Sequence, residues 1–378
     1  MSLTKLDIDR FISTLRTKSK EFNSITNVQL ASMLEETISN INEVAYFWAT
    51  ICSDNKGTTK TPAEGEEWVG GPYAAVLATQ YYRDTLIDDS DLNEDKYNEK
   101  ENSYSVFPNN LIERISFPFV NAKVLFNKSM SFDDINKYRG FSKRYDIDPS
   151  ITLVLGAGNY SSIPYLDVMY HLVTRRSVIL LKLNPVNEYL KPVFEKVFQN
   201  FIERGYIIVT TGSIDESKYM TKHPGVNHIH LTGSDKTYED IVYGRELSVN
   251  DKKVKQLQKI NNKPITSELG NVTPIIIHPG KWSTSDIKYQ ARKIVTGKLN
   301  NNGFNCISAQ VVVLPDGWGH TDTLIKYIKH YMNKIKDRKA YYPDSIDRLK
   351  KLEKDKGYER VNSLSCTTPH LTLSLIHI

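Results

Sequence analysis

Cys306 stands between a polar, glycine-bearing loop and an apolar run, in the stretch NNNGFNCISAQVVVLP that spans residues 300–315. A cysteine attacks as its thiolate, and a free thiol with a pKa of about 8.5 is only partly ionised at neutral pH. Such a nucleophile therefore needs activation by its surroundings. A lone cysteine is more often a buried structural residue, so position alone leaves open whether Cys306 is a nucleophile or a core residue.

The stretch GAGNYSSIP, residues 156–164, follows an apolar run and precedes a helical pattern. A glycine-rich turn between a strand and a helix is the context of a phosphate-binding turn. The third glycine of the usual pattern is replaced by Ser161. The stretch by itself therefore fits a phosphate-binding turn and a plain tight turn equally well.

Three histidines lie close together in HPGVNHIH, namely His223, His228 and His230. His228 and His230 would share one face of a strand, which raises the question of a metal site. Zinc sites need three or four ligands, and no cysteine or carboxylate completes a set here. The sequence predicts hydrogen-bonded or solvated histidines and no metal.

Alternating strands and helices are predicted to position these residues. From residue 151 onward, short β-branched runs (ITLVLG, SVILLKLN, YIIVTTG and HIHLTGS) are separated by helical segments. Continuous apolar strands that alternate with helices indicate a parallel sheet covered on both faces. In an open, doubly wound sheet of this kind, ligands bind beyond the carboxyl ends of the strands.

A second strand-and-helix unit is predicted from about residue 266. It comprises TPIIIHP, the helix SDIKYQARKIVTGKL and a buried strand AQVVVLP. One face of the helix carries the apolar residues Ile287, Ala291, Ile294, Val295 and Leu299. Before residue 146 the chain reads as helical, with a loop in SDNKGTTKTPAEGEEWVGGP and a solvated surface excursion in DDSDLNEDKYNEKENS.

Several motifs that are weak singly occur in one specific order. Asn159 follows the first strand, Lys182 ends the second, and LTGS, SELGN and GFNC follow at residues 231–234, 267–271 and 303–306. In this ordered set, from about Asp146 to Pro315, the chain resembles the aldehyde dehydrogenase superfamily. The resemblance implies an aldehyde-dehydrogenase-like α/β fold with two doubly wound parallel-sheet domains and a helical N-terminal region.

The resemblance also implies a role for each matching residue. Cys306 would attack an aldehyde carbonyl, and Asn159 would stabilise the oxyanion, a donor worth about 3 kcal/mol. Glu268 would activate the water that hydrolyses the resulting thioester. Lys182, Gly233, Ser234 and Gly158 would bind the cofactor, with Lys182 at the adenosine ribose and Gly233 and Ser234 at the pyrophosphate.

The chain departs from the family pattern in places, which indicates a divergent branch. Phe304 replaces the usual glutamine of the cysteine motif, and Asn271 replaces the second glycine of the glutamate motif. Pro185 stands where many NAD-preferring members carry a glutamate, so that only Glu188 is nearby to serve as the acid. The expected cofactor is therefore NAD or NADP, and a lysine without an acidic partner favours NADP.

The carboxyl-terminal part lacks a family motif. An EIFGP-like segment, expected about a hundred residues after the cysteine, is not found, and the sequence is interpreted as truncated. The stretch SLSCTTPHLTLSLIHI, residues 363–378, contains no Asp, Glu, Lys or Arg and is anomalous, so Cys366 is given no function. A homo-oligomer is expected of a full-length family member and is doubtful for this chain.

Composition excludes some other classes of protein. The net charge of +5 over 378 residues is scattered, which argues against a nucleic-acid partner. The N-terminus has no apolar leader, and no apolar run reaches the roughly 20 residues of a membrane span. Three widely spaced cysteines favour a reducing compartment, and the predicted location is the cytoplasm.

The sequence thus predicts an enzyme that oxidises a small aldehyde to an acid with NAD or NADP. The expected organisation is a helical region (1–145), a nucleotide-binding domain (146–265), an incomplete catalytic domain (266–362) and the anomalous tail (363–378). Two alternatives stay open: a reductase or dehydrogenase that acylates coenzyme A, and a nucleotide-binding fragment without a working site. The aldehyde itself is not predicted.

Overall fold

A computed structural model of the chain describes residues 3–88, 92–138, 148–254, 257–335, 338–352, 354, 358–360 and 372–374. The predicted tail at 363–378 and Cys366 therefore lie almost entirely outside the described residues. The α-helices, in chain order, are α1 (Lys5–Asn23), α2 (Asn27–Lys56), α3 (Glu64–Trp68), α4 (Ala74–Ile87), α5 (Leu111–Ser116), α6 (Phe132–Tyr138), α7 (Ser162–Met169), α8 (Lys191–Val197), α9 (Gln199–Glu203), α10 (Ile214–Lys222), α11 (Asp235–Tyr243), α12 (Thr284–Leu299), α13 (Thr321–Met332) and α14 (Ser345–Leu352).

Four sheets are formed by the described strands. The strands are β1 (Tyr97–Asn98), β2 (Ser103–Phe107), β3 (Ala122–Leu125), β4 (Ile151–Leu155), β5 (Val178–Lys182), β6 (Ile207–Thr210), β7 (His228–Gly233), β8 (Ile265–Leu269), β9 (Pro274–Ile276), β10 (Val311–Val313), β11 (Tyr358–Arg360) and β12 (Thr372–Ser374). The largest sheet has five strands in the order β6-β5-β4-β7-β8, and all its neighbours are parallel.

The five-stranded sheet confirms the predicted parallel α/β fold. Every residue of β4 and of β5 is buried, as expected of strands covered on both faces. The chain forms β4 first, adds β5 and β6 on one side, and then adds β7 and β8 on the other. The order therefore reverses between β4 and β7, and a crevice opens at the carboxyl ends of strands at such a point.

The amino-terminal helices pack against this sheet. Capping boxes at Thr4 and Thr26 begin α1 and α2. Helix α1 contacts β4, β5 and β6, and the buried indole of Trp48 on α2 packs against Tyr165 of α7 and Phe194 of α8. The prediction of a loop over residues 53–72 is wrong at both ends. Helix α2 continues to Lys56, where Gly57 ends it with a left-handed φ of 68°, and α3 and a π-helical turn (Val69–Tyr73) follow.

The polar stretch at 88–103 was predicted to be a solvated excursion only. Its described residues include a 3₁₀ turn (Glu94–Lys96), strand β1 and the start of β2. Strands β1, β2 and β3 form an antiparallel three-stranded sheet in which β3 is exposed along its whole length. Charged and polar residues dominate this stretch, and its strand β1 has only two residues, so the sequence did not predict a strand here.

The second unit contains β9 and β10, which pair in parallel, together with α12 and α13. The predicted apolar face of α12 is confirmed, since all five of its residues are buried. The prediction that the run AQVVVLP is a buried strand is wrong, because Val311 and Val313 of β10 are exposed. Helices cover only one face of this two-stranded sheet, so alternate residues point to solvent.

The expected boundary after residue 265 stays a prediction. Strand β8 begins at Ile265 and is hydrogen-bonded to β7, so residues up to Leu269 belong to the five-stranded sheet. In the part of the chain that the structure describes, no helix combines the length and the apolar character that crossing a membrane requires.

Candidate active site

A cleft of about 1120 Å³ lies at the carboxyl ends of β4, β5, β7 and β8. Further parts of its wall come from α10, from α11, from the loop that carries Cys306, and from Tyr342 and Arg348. All seven residues that the sequence predicted for catalysis and cofactor binding line this one cleft: Gly158, Asn159, Lys182, Gly233, Ser234, Glu268 and Cys306. They come from segments up to 148 residues apart in the chain, and the fold brings them together.

The turn after β4 leads into α7, as the sequence predicted for a phosphate-binding turn. The N–H of Gly156 donates to the carbonyl oxygen of Lys182 at 3.0 Å, which joins the turn to the end of β5. A Cβ atom on Gly158 would lie 2.6 Å from the Tyr342 hydroxyl and 2.9 Å from the Asn184 side chain. The close approach of these groups requires glycine at this position.

Asn159 is held through its main chain. Its carbonyl oxygen accepts hydrogen bonds from Asn301 Nδ2 at 3.3 Å and from the Tyr341 hydroxyl at 3.4 Å. The side-chain Oδ1 of Asn159 is buried and accepts no hydrogen bond from the described residues. Its side chain is therefore not engaged in holding the turn and is available to the cleft.

Lys182 is the last residue of β5 and is only 6% exposed. Burial lowers the pKa of its ammonium group, and the nearby carboxylates of Glu188 and Glu216 oppose that shift. A buried lysine at the rim of a cleft is a donor for a hydroxyl or an anion of a ligand.

Gly233 ends β7, and Ser234 caps the N-terminus of α11. The Ser234 hydroxyl accepts from the N–H of Thr237 at 3.1 Å, so the side chain serves the helix and the main-chain N–H groups of the first turn face the cleft region. A helix N-terminus with free N–H groups favours a phosphate group through hydrogen bonds and the helix dipole.

Glu268 and Cys306 lie on two segments that are joined by main-chain hydrogen bonds. The N–H of Asn271, just after β8, donates to the carbonyl oxygen of Cys306 at 3.3 Å. The N–H of Gln310 donates to the carbonyl oxygen of Val272 at 3.0 Å. These bonds continue into the β9–β10 pairing and hold the two segments side by side at the cleft. Glu268 is exposed, and Cys306 is half-buried with a free thiol.

The loop before Cys306 has an unusual backbone. Asn301, Asn302 and Gly303 have φ values of 49°, 55° and 76°, so three consecutive residues are left-handed. Asparagine tolerates this region better than most residues, and glycine adopts it freely. The two asparagines directly before Gly303, Asn301 and Asn302, therefore have a conformational reason.

A buried ion pair that sequence reasoning missed supports this loop. Lys56 Nζ donates to the two carboxylate oxygens of Glu67 at 3.0 and 2.9 Å and to Asn301 Oδ1 at 3.1 Å. Lys56 is 3% exposed and Glu67 is 1% exposed. The ammonium also lies 5.4 Å from the ring of Tyr160 and 5.3 Å from that of Tyr341. Nothing in the local sequence around Lys56 distinguishes it from a surface lysine.

A second ion pair reaches the same loop. The carboxylate of Glu66 accepts from Arg338 at 3.0 and 3.1 Å and from the N–H of Asn301 at 2.8 Å. Arg338 also donates to the carbonyl oxygen of Leu299 at 3.3 Å, at the end of α12. Residues from α3 and from the segment after α13 therefore both hold the main chain of the loop.

Aromatic rings close one side of the cleft. Phe304 packs against Tyr341 and Tyr342, with ring centroids 4.9 and 5.1 Å apart. Burial raises the pKa of Tyr342 to about 12, and its hydroxyl is hydrogen-bonded to the backbone of Gly158. Phe304, which replaces the family's usual glutamine, thus belongs to an aromatic wall beside the nucleophile loop.

The structure also describes the surroundings of the predicted histidines and of the second cysteine, Cys52. His230 contacts Asp167 at 3.3 Å and Thr266 at 2.8 Å, and His223 contacts Asp9 at 3.3 Å. Within the described residues, no group of three or more His, Cys, Asp or Glu side chains is arranged to hold a metal ion. Cys52 is fully buried on α2, and burial raises its pKa to about 12, which makes it an unreactive thiol.

Comparison with known proteins agrees with this architecture. Residues 169–345 match the model of the aldehyde dehydrogenase family. A curated relative is the N-succinylglutamate 5-semialdehyde dehydrogenase of Sphingopyxis alaskensis, 23% identical over 183 residues, which are 48% of this chain and 34% of that protein. The match thus spans about a third of the length of that relative.

Solved structures resemble nearly the whole chain. Betaine aldehyde dehydrogenase of Staphylococcus aureus, in complex with NAD⁺, has a TM-score of 0.66 at 14% identity, covering 99% of this chain and 67% of that one. The NADP-dependent glyceraldehyde-3-phosphate dehydrogenase of Bacillus halodurans, complexed with NADP, has a TM-score of 0.60 at 14% identity, covering 94% and 64%. The matched segment is thus similar to the aldehyde dehydrogenase family, and the solved structures show that the chain shares their fold.

Proposed function

We propose that this cleft oxidises an aldehyde to a carboxylic acid with NAD or NADP as the hydride acceptor. The observation that carries the proposal is the convergence of Cys306, Glu268 and Asn159 with the predicted nucleotide-binding residues on one cleft. The solved relatives that bind NAD⁺ and NADP support the choice of cofactor. The chain spans about two thirds of those relatives, so the activity is proposed for this chain as a part or a divergent form of such an enzyme.

The cleft fits a nicotinamide nucleotide. Lys182 is a buried donor at the rim, and the N-terminus of α11 follows Ser234. We assign the pyrophosphate to Gly233, Ser234 and the first turn of α11, and the adenosine ribose to Lys182. Glu188 and Glu216 act on Lys182 only through their charge and do not line the cleft, so the choice between NAD and NADP stays open.

The first chemical step is addition of Cys306. Its thiolate forms a C–S bond to the aldehyde carbon, and the carbonyl electrons move to oxygen to give a thiohemiacetal oxyanion. The side-chain amide of Asn159 and the N–H of Cys306 donate to that oxygen. Such donors act strongly because they are fixed before the charge develops. A bound nicotinamide would accept the hydride that leaves the same carbon, which yields a thioester on Cys306.

Hydrolysis of the thioester is assigned to Glu268. Its carboxylate takes a proton from water as the water oxygen attacks the thioester carbon. The C–S bond then breaks, the acid leaves, and Cys306 returns as a thiolate. The exposure of Glu268 at the cleft allows water to reach it. This role predicts a carboxylic acid as the product, whereas transfer to coenzyme A would leave a new thioester.

Substitution of the two free cysteines tests the proposal. Cys306→Ser should abolish the aldehyde-dependent reduction of NAD or NADP, measured by absorbance of the reduced nucleotide with a panel of aldehydes. Cys52→Ala is the matched control, because that thiol is buried on α2, and its activity should stay close to that of the wild type. Undiminished turnover by the Cys306 variant would sink the assignment. Nucleotide binding without any turnover by the wild type would favour a binding fragment.

A homo-oligomer is proposed on a separate observation. Helix α5 and the segment after it expose large apolar side chains, and β3 is an exposed edge strand. The exposed residues of this surface are Leu111, Ile112, Ile115, Phe117, Phe119, Val120 and Leu125. Patches of this kind in folded proteins mark interaction sites. Light scattering measures the mass of the wild type and of an Ile112→Glu, Ile115→Glu variant. If both have the mass of a single chain, the proposal is contradicted.

A cytoplasmic location is proposed from the thiols. Cys52 and Cys306 are both free, and the proposed chemistry needs Cys306 reduced. Reducing compartments keep such thiols available. Imaging of a tagged chain tests the location.

A further inference from the structure

Asn301 makes contacts that link the Asn159 turn to the loop that carries Cys306. Its Oδ1 accepts from Lys56 Nζ and from the Tyr341 hydroxyl, each at 3.1 Å. Its Nδ2 donates to the carbonyl oxygen of Asn159 at 3.3 Å and to that of Phe304 at 3.4 Å. One buried side chain therefore joins the oxyanion-side turn to the loop that carries the nucleophile, five residues before Cys306.

The chemistry of its partners fixes the orientation of the Asn301 amide. A lysine ammonium only donates hydrogen bonds, so the atom facing Lys56 must be the amide oxygen. The NH₂ group then faces two carbonyl oxygens, which only accept. Lys56 is itself hydrogen-bonded to Glu67 and lies near two aromatic rings, so the position of its ammonium group beside the Asn301 amide is fixed.

The backbone of Asn301 needs this support. A left-handed conformation in a residue other than glycine is unfavourable and persists only where surrounding contacts determine it. Asn301 and Asn302 both adopt it, and the N–H of Asn301 is bound by Glu66. The side-chain bonds of Asn301 thus stabilise a loop shape that would otherwise relax and move Cys306.

We propose that Asn301 is a positioning residue that holds the Asn159 turn and the Cys306 loop at one fixed spacing. This inference rests on the proposed function, because spacing matters only if Asn159 and Cys306 act on the same carbonyl group. A misplacement of about 1 Å between reacting groups lowers turnover by about a hundredfold. Asn301 touches neither the aldehyde nor the nucleotide in this scheme.

Asn301→Gly tests the proposal directly. Glycine keeps the left-handed backbone available, and only the side-chain bonds are lost. We expect kcat for aldehyde oxidation to fall by about a hundredfold while the Kd of the nucleotide, measured by calorimetry, stays within about threefold. At pH 9.5, alkylation of Cys306 by iodoacetamide, followed by mass spectrometry of its peptide, should become at least about fivefold faster, since the four side-chain hydrogen bonds of Asn301 no longer hold the loop.

Tyr341→Phe provides a milder variant with a matched control. It removes the hydroxyl that contacts Asn301 and Asn159 and keeps the ring against Phe304, so kcat should fall by about fivefold. Tyr206→Phe removes a comparable hydroxyl that donates to Glu21 Oε1 at 2.6 Å, remote from the cleft. Its kcat and its rate of Cys306 alkylation should stay within about twofold of the wild type.

The two proposals fail in different ways. If the Asn301→Gly variant is folded and its Cys306 is alkylated at the wild-type rate, the positioning role is overturned. Wild-type turnover in that variant would overturn it as well. Absence of aldehyde oxidation in the wild type would count against the proposed function alone. The alkylation assay needs neither aldehyde nor nucleotide, so it still decides whether Asn301 holds the loop.

Discussion

Removal of Lys56 should show how much the buried Lys56–Glu67 ion pair beside the nucleophile loop contributes to the free energy of unfolding. In Lys56→Met, the carboxylate of Glu67 loses both hydrogen bonds from the ammonium while it stays 1% exposed. Breaking a buried pair by removing one partner costs about 3–5 kcal/mol, because the remaining charge is uncompensated. We expect the free energy of unfolding at pH 7 to fall by that amount.

The loss should also depend on pH in a predictable direction. Burial already raises the pKa of Glu67 in the wild type, although Lys56 opposes that shift. Without Lys56 the folded-state pKa rises further, so above the ordinary pKa of a glutamate the folded state keeps a proton that the unfolded state has released. Stability of the variant then falls as pH rises, by about 1.4 kcal/mol per pH unit relative to the wild type.

Urea unfolding at pH 5 and pH 7, followed by circular dichroism, measures both effects. Lys196→Met is the matched control. It removes a more exposed ion pair between Lys196 on α8 and Glu43, which lies on α2 like Lys56, and it should cost about 0.5 kcal/mol or less. Lys56→Met combined with Glu67→Leu should recover most of the loss, because apolar residues replace both charges. A loss in Lys56→Met below about 1 kcal/mol at pH 7, or one that is equal at both pH values, would refute the reasoning.

The remaining predictions concern one buried histidine and the nucleotide cleft. Neither ring nitrogen of His171 has a partner among the described residues, and burial together with His230 lowers its pKa to about 3. The unfolded state therefore binds more protons below pH 6.5, so stability should fall by about 1.4 kcal/mol per pH unit from there toward pH 3, and His171→Phe should remove that slope in urea unfolding. Gly158→Ala should raise the Kd for the nucleotide about tenfold by crowding the cleft, in calorimetry against Gly297→Ala, whose added methyl meets nothing within 4 Å. Lys182→Met should raise that Kd by at least about tenfold without lowering the melting temperature, and an unchanged Kd would contradict its assignment to the ribose.

The sequence predicted the parts of the fold that follow a regular period. The buried strands of the five-stranded sheet and the apolar face of α12 have periodic apolar residues, and both predictions are confirmed. The β1–β3 sheet was missed because its strands have only two to five residues, too few to establish an alternation of apolar and polar positions. The exposure of β10 was missed because a run of valines does not reveal how many faces of the sheet are covered.

The candidate site divides in the same way. The seven residues were predicted because their motifs, in their order, resemble those of the aldehyde dehydrogenase superfamily, and the structure brings all seven to one cleft. Their individual roles stay predictions. Lys56, Glu66 and Glu67 were missed, because a charged residue in a polar stretch is ordinarily solvated. These residues are buried because segments distant in the sequence pack against them, which the local sequence does not indicate.

The nucleophile loop depends on residues that no local window of the sequence contains. The bonds to Asn301 come from Lys56, 245 positions earlier, from Glu66, 235 positions earlier, and from Tyr341, 40 positions later. Contacts of such separation form only when the amino-terminal helices have docked against the cleft. The amino-terminal region therefore cannot be treated as a separable cover of the sheet. Its α2 and α3 helices complete the support of Cys306, so a change there should alter the reactivity of the thiol before it alters the five-stranded sheet.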